Sequence, residues 1–431
     1  MITKRLWLSA FCLALFVFAP AVASEPKTAS TPEQSEKSSP TKPKNRNDSL
    51  RALAEHLGLG EGSAIADVGA GGGRDMQVFA EIVGQTGTVL AQEIVESKVK
   101  LIEKKAKENK LSQVRAIHGR DNDPRLPAAS ADLAFMHYVY HHFAKPREML
   151  RGLWKSLKPG GYLVVVDKQR GTLTDWIARE TRAKKHHWTS ETTVVREARE
   201  EGFVYVECAE NCWHGKDEFV LVFQRPQGLE KPGCDPDAFL PLDPEEACRS
   251  ILPSGLACQR PVIIALGEGR KLVAPIVEKA SSGQAVEIVL EEWATQKEER
   301  PPLPAGVSLP SVLTEKGDPK LGPDPIDAVF FLDTYHLLFH QETLLAKLHE
   351  RLSADGCVYV LDRAAKEPLA RREASHRRKI SPETVKQEMA QAGFVLSREG
   401  PPPAADRFLL VFNKAQAGAT APQNESPDGE E

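Results

Sequence analysis

At 431 residues the chain is long for one domain, and a prior of roughly 150 residues per domain suggests two or three. A formal net charge of -4, with no basic stripe carrying interleaved aromatics, argues against a nucleic-acid binder and against a charge-held membrane-surface protein. Hydrophobic residues make up 41%, ample for buried cores. The chain opens MITKRLWLSAFCLALFVFAPAVASEP. Lys4 and Arg5 form a positive start, residues 6–19 are apolar and short for a membrane span, and Ala21-Val22-Ala23 is a small-x-small cleavage site. Together these predict a secretory signal peptide, with an uncleaved anchor as the competing reading. Phe11 stands before Cys12 where a lipoprotein needs a small residue. The stretch that follows is rich in Ser, Thr, Pro, Lys and Glu with no apolar period, as is the C-terminal tail, and both read as disordered.

The first folded element is SAIADVG, a short apolar run ending at glycine, which reads as a buried parallel strand. RDMQVFAEIVGQ follows, with Met76, Phe79, Ile82 and Val83 at helical spacing. ADVGAGGGRD between them is thus a strand-to-helix turn, where backbone N–H groups and a helix N-terminus face outward. A dinucleotide fingerprint needs G-x-G-x-x-G/A, and from Gly69 the sixth position is Arg74. A P-loop needs G-K-[S/T]. What stands here is acid-x-G-x-G-x-G: Asp67, Gly69, Gly71 and Gly73. An acid at a strand end repels a pyrophosphate and suits a ligand carrying an ammonium group.

GTVLAQEI is a second strand ending at Glu93, placed to take both hydroxyls of a ribose. An amphipathic helix, VESKVKLIEKKAKENK, leads to a third strand, QVRAIHGRDND. ADLAFMHYVYHHF is a fourth, and SLKPGGYLVVVDK is a Pro-Gly-Gly turn into a fifth. Strands alternating with helices predict a parallel α/β sheet with its site outside the carboxyl ends of the strands.

With DVGAGGG, LPAASADLAFMHYVYHHF and LKPGGYLVVVD in this order, the chain resembles the class I S-adenosylmethionine-dependent methyltransferases, in their small-molecule branch, over about residues 49–225. The resemblance implies a Rossmann-like sheet closed by an antiparallel hairpin, which GFVYVECAEN and KDEFVLVFQRP fit. It implies that Asp67, Gly69, Gly71 and Gly73 approach the methionine end of the cofactor, that Glu93 holds the ribose hydroxyls, and that Asp121 approaches the adenine amino group, with Asp123 competing. His137 then ends the fourth strand at the lip of the methyl-transfer site. His137 and His141 are the candidate bases for an acceptor that must lose a proton. His137, His141 and His142 cluster in sequence, but alternate strand residues face opposite sides and no cysteine or carboxylate spacing supports a metal. His186 and His187 face substrate or a solvated helix start.

The later sequence echoes the first half. DLAFMHYVYHHF…LVVVDK from Asp132 recurs as DAVFFLDTYHLLF…VYVLDR from Asp327, so that Tyr140 and His141 match Tyr335 and His336, and Asp167 matches Asp362. IIALGEGRKL echoes the glycine turn, with Gly267 for Gly69, Gly269 for Gly71 and Glu291 for Glu93, but Ala265 for Asp67 and Lys271 for Gly73. Pro301, Pro302 and Pro304 forbid the helix that follows Glu93 in the first half. A second, degenerate copy that does not bind the cofactor is expected. Seven cysteines are present. Beyond Cys12, the spacings of Cys208, Cys212, Cys234, Cys248, Cys258 and Cys357 make neither a disulfide framework nor a zinc site. An exported chain pairs Cys248 with Cys258 first, and free buried thiols are the alternative.

The fold class expected is α/β, two tandem Rossmann-like methyltransferase folds with the second degenerate. The order expected is a signal peptide at 1–23, a disordered linker at 24–48, the methyltransferase domain at 49–225, an inter-domain linker at 226–259, the degenerate domain at 260–414 and a disordered tail at 415–431. The function expected is methyl transfer from S-adenosylmethionine to a small-molecule acceptor by an exported protein, with no nucleic-acid partner and no stable span after signal cleavage. The alternative is an exported non-catalytic binding or scaffold protein on the same fold.

Overall fold

The computed structural model describes residues 42–168, 189–228, 232–233, 240–254, 256, 260–265, 267–280, 286–289, 311–313, 318–319 and 321–415. The residues read as a signal peptide, His186, His187, Cys234, Cys258, Glu291 and the Pro301–Pro304 run lie outside the described residues.

AIADV forms β1, Ala64–Val68, buried along its whole length. Such a run suits a strand flanked on both sides, and β1 pairs in parallel with β2, Thr88–Glu93, and with β4, Ala131–His137. β3, Val114–His118, extends the sheet beyond β2. β5, Leu157–Lys168, lies beyond β4. The expected Pro-Gly-Gly turn is instead a register shift inside β5, with Gly160 at φ +84°. The antiparallel hairpin of β6, Val204–Cys208, and β7, Glu218–Gln224, closes the far edge. The order β3-β2-β1-β4-β5-β7-β6 places a switch point between β1 and β4, where open α/β sheets bind ligands.

Helix α1, Arg46–His56, is capped by Asn45, whose side chain accepts from the Asp48 N–H. α2, Met76–Val83, seats Phe79 edge-on against Phe135 of β4, ring centres 5.4 Å apart; burying such a side chain is worth about 1.5–3 kcal/mol. α3, Glu96–Glu108, α4, Pro146–Ser156, and α5, Glu191–Glu200, complete this half.

The second half repeats the order. α6, Pro244–Ile251, precedes β8, Pro261–Ala265. A 3-10 turn at Gly267–Leu272, α7, Val273–Ala280, β9, Val286–Val289, and β10, Ser311–Leu313, follow. Then come β11, Ile326–Leu332, α8, Gln341–Arg351, β12, Leu352–Arg363, α9, Arg371–Arg377, α10, Pro382–Gln391, β13, Phe394–Gly400, and β14, Arg407–Lys414. Its sheet runs β10-β9-β8-β11-β12-β14-β13, strand for strand the order of the first.

Two linker expectations are corrected. α1 begins at Arg46, inside the stretch expected to be disordered at 24–48. The stretch 226–259 contains α6, whose Ala247, Cys248 and Ile251 are buried in the second core. The Asp and Pro that read as linker composition are helix-start chemistry: the Asp243 carboxylate accepts from the Glu246 N–H at 2.8 Å and Pro244 opens the first turn.

The halves meet where α9 packs on α5 and β6. Arg372 grips Glu191 with Nε 3.0 Å from Oε2, Tyr205 donates to Glu373 at 2.8 Å, and Arg377 donates to the Val206 carbonyl at 2.8 Å. Among the described residues no helix is long and apolar enough to cross a membrane.

Candidate functional site

β1 delivers Asp67 to the switch point. The carboxylate is buried, 4% exposed, and its Oδ2 has no hydrogen-bond partner among the described residues. Burial pushes its pKa up to about 8; the charge of Asp75 and, less, of Glu93 adds to this, while Arg46 opposes it. A buried oxygen without a donor is a costly arrangement.

The turn after Asp67 is fixed to β2 by Gln92, a residue the sequence reading did not single out. Its carbonyl accepts from the N–H groups of Gly69 and Ala70 at 2.9 and 2.8 Å, and its side-chain Oε1 accepts from Gly69 at 3.0 Å. Gly69 has φ +73°, and a Cβ there would lie 2.6 Å from Val139 Cγ2. Gly71 has φ +58°, yet a Cβ there would meet nothing within 4 Å. The backbone is therefore bare at Gly71 and leaves open space in front of it. Gly73 closes the loop, its N–H on the Ala70 carbonyl at 2.9 Å.

Glu93 ends β2, buried, with Oε1 accepting from the N–H groups of Ile94 and Val95 at 2.8 and 3.0 Å. Oε2 lies 3.9 Å from the Nζ of Lys98, a half-exposed side chain. Ile94 beside it is an exposed apolar side chain, 47% accessible. In the loop after β3 the two candidate acids separate. Asp123 closes the turn, its Oδ1 accepting from the Arg125 N–H at 2.9 Å, while Asp121 is exposed.

On the other side of the switch point is a network that sequence reasoning found only at His137. Arg46, from α1, holds Asp75 with its fork, Nε to Oδ1 at 2.7 Å and Nη2 to Oδ2, and its Nη1 donates to His137 Nδ1. With Nδ1 accepting, the ring proton sits on Nε2, which faces Glu218 Oε1 at 3.7 Å. Glu218 also accepts from the Tyr138 hydroxyl and the Trp213 indole, and burial pushes its carboxyl up against the pull of Arg46 and Lys42. Tyr138 stacks on His137 at 4.0 Å with φ +57°, a strained setting for a bulky residue. Glu218 was legible in principle: it opens the last strand, which runs antiparallel to β5, so its first residue lies at the carboxyl end of the sheet.

His141 is placed differently from the expectation. It lies in the 3-10 turn Tyr140–His142, its Nδ1 2.8 Å from Asp167 Oδ1 and its Nε2 3.1 Å from His142 Nε2. The same pair recurs in the second half, His336 Nδ1 2.6 Å from Asp362 Oδ1. The pair fastens the turn after the fourth strand to the fifth in both sheets, so it belongs to the framework and not to the lip where His137 stands. His141 and His142 meet, but His137 does not join them: it faces Arg46 and Glu218 while His141 faces Asp167.

Residues 66–165 match the methyltransferase domain family. Similar curated proteins are a demethylmenaquinone methyltransferase of Listeria welshimeri, 28% identical over 116 residues, and a ubiquinone/menaquinone biosynthesis C-methyltransferase of Citrobacter koseri, 24% identical over 111 residues. The first alignment covers 27% of this chain and 49% of the relative, the second 26% and 44%. The chain thus spans about half the length of the curated relatives it matches. A solved SAM-dependent methyltransferase from Aquifex aeolicus is 25% identical with a TM-score of 0.35, covering 41% of this chain and 89% of that one. Residues 66–165 thus match a methyltransferase domain of the S-adenosylmethionine-dependent class.

S-adenosylmethionine is the cofactor of this class, and the residues present fit it. The orphaned Asp67 oxygen lacks the donor that an ammonium group supplies, the space before Gly71 admits a ligand against bare backbone, and the Glu93 carboxylate is held at the end of β2 by two backbone N–H groups on Oε1 alone. In the second half of the chain the corresponding strand end, Ala265, has no carboxylate, and a Cβ at Gly269 would lie 2.1 Å from the Leu332 carbonyl oxygen. That turn is packed against β11 and leaves no comparable space.

Proposed function

We propose that the chain is an exported S-adenosylmethionine-dependent methyltransferase whose first half binds the cofactor and whose second half is a degenerate copy without cofactor contacts. The observation that carries this reading is the buried Asp67 carboxylate, its Oδ2 without a hydrogen-bond partner among the described residues, beside the open glycine turn. Asp67 takes the cofactor's ammonium group, Gly69, Gly71 and Gly73 let the backbone approach, Glu93 takes the ribose hydroxyls through Oε2, and Asp121 reaches the adenine edge. When bound, the cofactor supplies an activated sulfonium methyl. The chain then has mainly to hold the acceptor in line with it, and alignment of this kind supplies up to ~7–11 kcal/mol. His137, with Nδ1 occupied by Arg46 and its proton on the Glu218 side, orients the lip. Glu218 is the carboxylate there able to accept a proton that an acceptor must lose.

For the acceptor, the relatives' names support a small molecule of quinone type. Calorimetry of the purified chain with S-adenosylmethionine tests the cofactor reading, binding being expected and its absence overturning it. Incubation with labelled cofactor and a reduced demethylmenaquinone tests the acceptor, a labelled product being expected. The leader sequence favours a second reading, a non-catalytic binding protein, because the cofactor is made inside cells. Cofactor binding with no transfer to any of a panel of quinols, amines and thiols decides for it. Intact mass of the native protein, expected to begin at Ser24, tests export.

A further inference from the structure

The cofactor's amino-acid end carries two charges, and Asp67 matches only the ammonium. A carboxylate entering the same enclosure needs a cation, or it is driven out by Asp67, Asp75 and Glu93. Arg46 stands in that enclosure. Its side chain is 12% exposed, its partner Asp75 5%, and its charge acts on Asp67 across the turn. Asp75 takes Nε and one N–H of Nη2, and His137 takes one N–H of Nη1; a guanidinium has five such donors, so these two partners do not exhaust it. Its planar fork is the donor geometry that grips a carboxylate.

A second observation comes from the other half. Counting from the matched glycines Gly69 and Gly267, Arg46 falls on Pro244 and Asp75 on Val273; at the ends of β4 and β11, His137 falls on Leu332. Asp67 falls on Ala265. Ala265, Val273 and Leu332 share one apolar core. The arginine, its two partners and the ammonium-binding acid are present together in one half and missing together in the other, although the His–Asp pair that fastens the turn is kept in both. Arg46 therefore goes with the ligand site and not with the fold.

We infer that Arg46, supplied by α1 from outside the strand-and-helix motif, is the anchor for the cofactor's carboxylate, and that Asp75 and His137 hold its guanidinium in place. The inference rests on the cofactor reading above. It is tested by calorimetry on the full chain with S-adenosylmethionine and with decarboxylated S-adenosylmethionine, which keeps the ammonium and sulfonium groups. The wild-type chain is expected to prefer the carboxylated ligand by about tenfold, one charge-assisted contact. Arg46→Gln is expected to weaken S-adenosylmethionine to the level of the decarboxylated ligand and to leave the latter unchanged. Arg46→Lys, which keeps the charge and loses the fork, is expected to fall between, and it carries the test if the glutamine variant does not fold in a thermal melt. Equal losses for both ligands in the variants, or no preference in the wild type, overturn the inference while leaving the cofactor reading standing. A wild-type chain that binds neither ligand overturns both.

Discussion

In the first sheet the fourth strand runs out into His137 and Tyr138, and in the second into Leu332 and Asp333. The backbone does the same thing at both places: Tyr138 and Asp333 have φ of +57° and +55°, and each donates its N–H to the fifth strand at 2.9 Å. What the backbone presents differs. Tyr138 meets Glu218, at the start of β7. Asp333 meets the residue in the equivalent register, Arg407, with Nε 3.1 Å from Oδ1, and also Arg363. All three are buried, at 3% exposure each. One half keeps a half-open lip of aromatic and acidic side chains; the other fills the same corner with a buried ion cluster. The lesson is that the fold tolerates either filling because the backbone turn after the fourth strand, tied to the fifth by the same N–H bond in both halves, does not depend on which side chains fill the corner.

The largest effect expected from breaking this comparison is on stability. Asp333→Ala leaves two buried guanidinium groups short of a partner, and loss of one member of such a cluster costs about 3–5 kcal/mol. Denaturant unfolding measures this, and the S-adenosylmethionine dissociation constant of the folded variant should not move; a shift would show that the second half shapes the cofactor site.

Next comes Asp67. Its folded pKa is raised from 3.8 to about 8, so its contribution to stability is full below the unfolded value and is lost as pH rises through about 8. In the proposed site the ligand's ammonium binds the ionised form. Affinity should therefore rise with pH, roughly tenfold per unit between about pH 6 and 7.5, with a proton released on binding. Calorimetry in buffers of different ionisation enthalpy reads that proton directly. Asp67→Asn should flatten the profile and weaken binding about tenfold or more at neutral pH. A pH-independent wild type would remove the ammonium pairing.

The glycine turn sharpens the contrast further. Gly69→Ala pushes a methyl into Val139, so melting temperature and cofactor affinity should fall together. Gly71→Ala meets no protein atom, so affinity should fall with a smaller stability change, limited to the roughly 1–2 kcal/mol strain of a left-handed alanine. The smallest effect is expected at Asp121. Asp121→Ala changes an exposed side chain and should weaken binding less than Glu93→Gln, because the Glu93 carboxylate is buried and already oriented by two backbone N–H groups. Equal losses at Asp121 and Glu93 would overturn this ranking.

The sequence by itself determined the alternation of strands and helices, the strand-to-helix position of Asp67 and its glycines, Glu93 at the end of β2, and the closing hairpin. These are local statements: a buried run, a helical period and a glycine turn each fix the backbone within a few residues. It also carried the internal echo, which the two sheets match in strand order. It misjudged 226–259 because a helix cap and a linker draw on the same Asp and Pro residues. Only the tertiary structure decided that His141 turns inward to Asp167 while His137 stays at the lip. The same holds for Asp123 closing a turn that leaves Asp121 exposed, and for Arg46, Asp75 and Glu218 gathering at one strand end from three distant parts of the chain. Their meeting depends on sheet order and on where α1 packs, and no spacing along the chain encodes either.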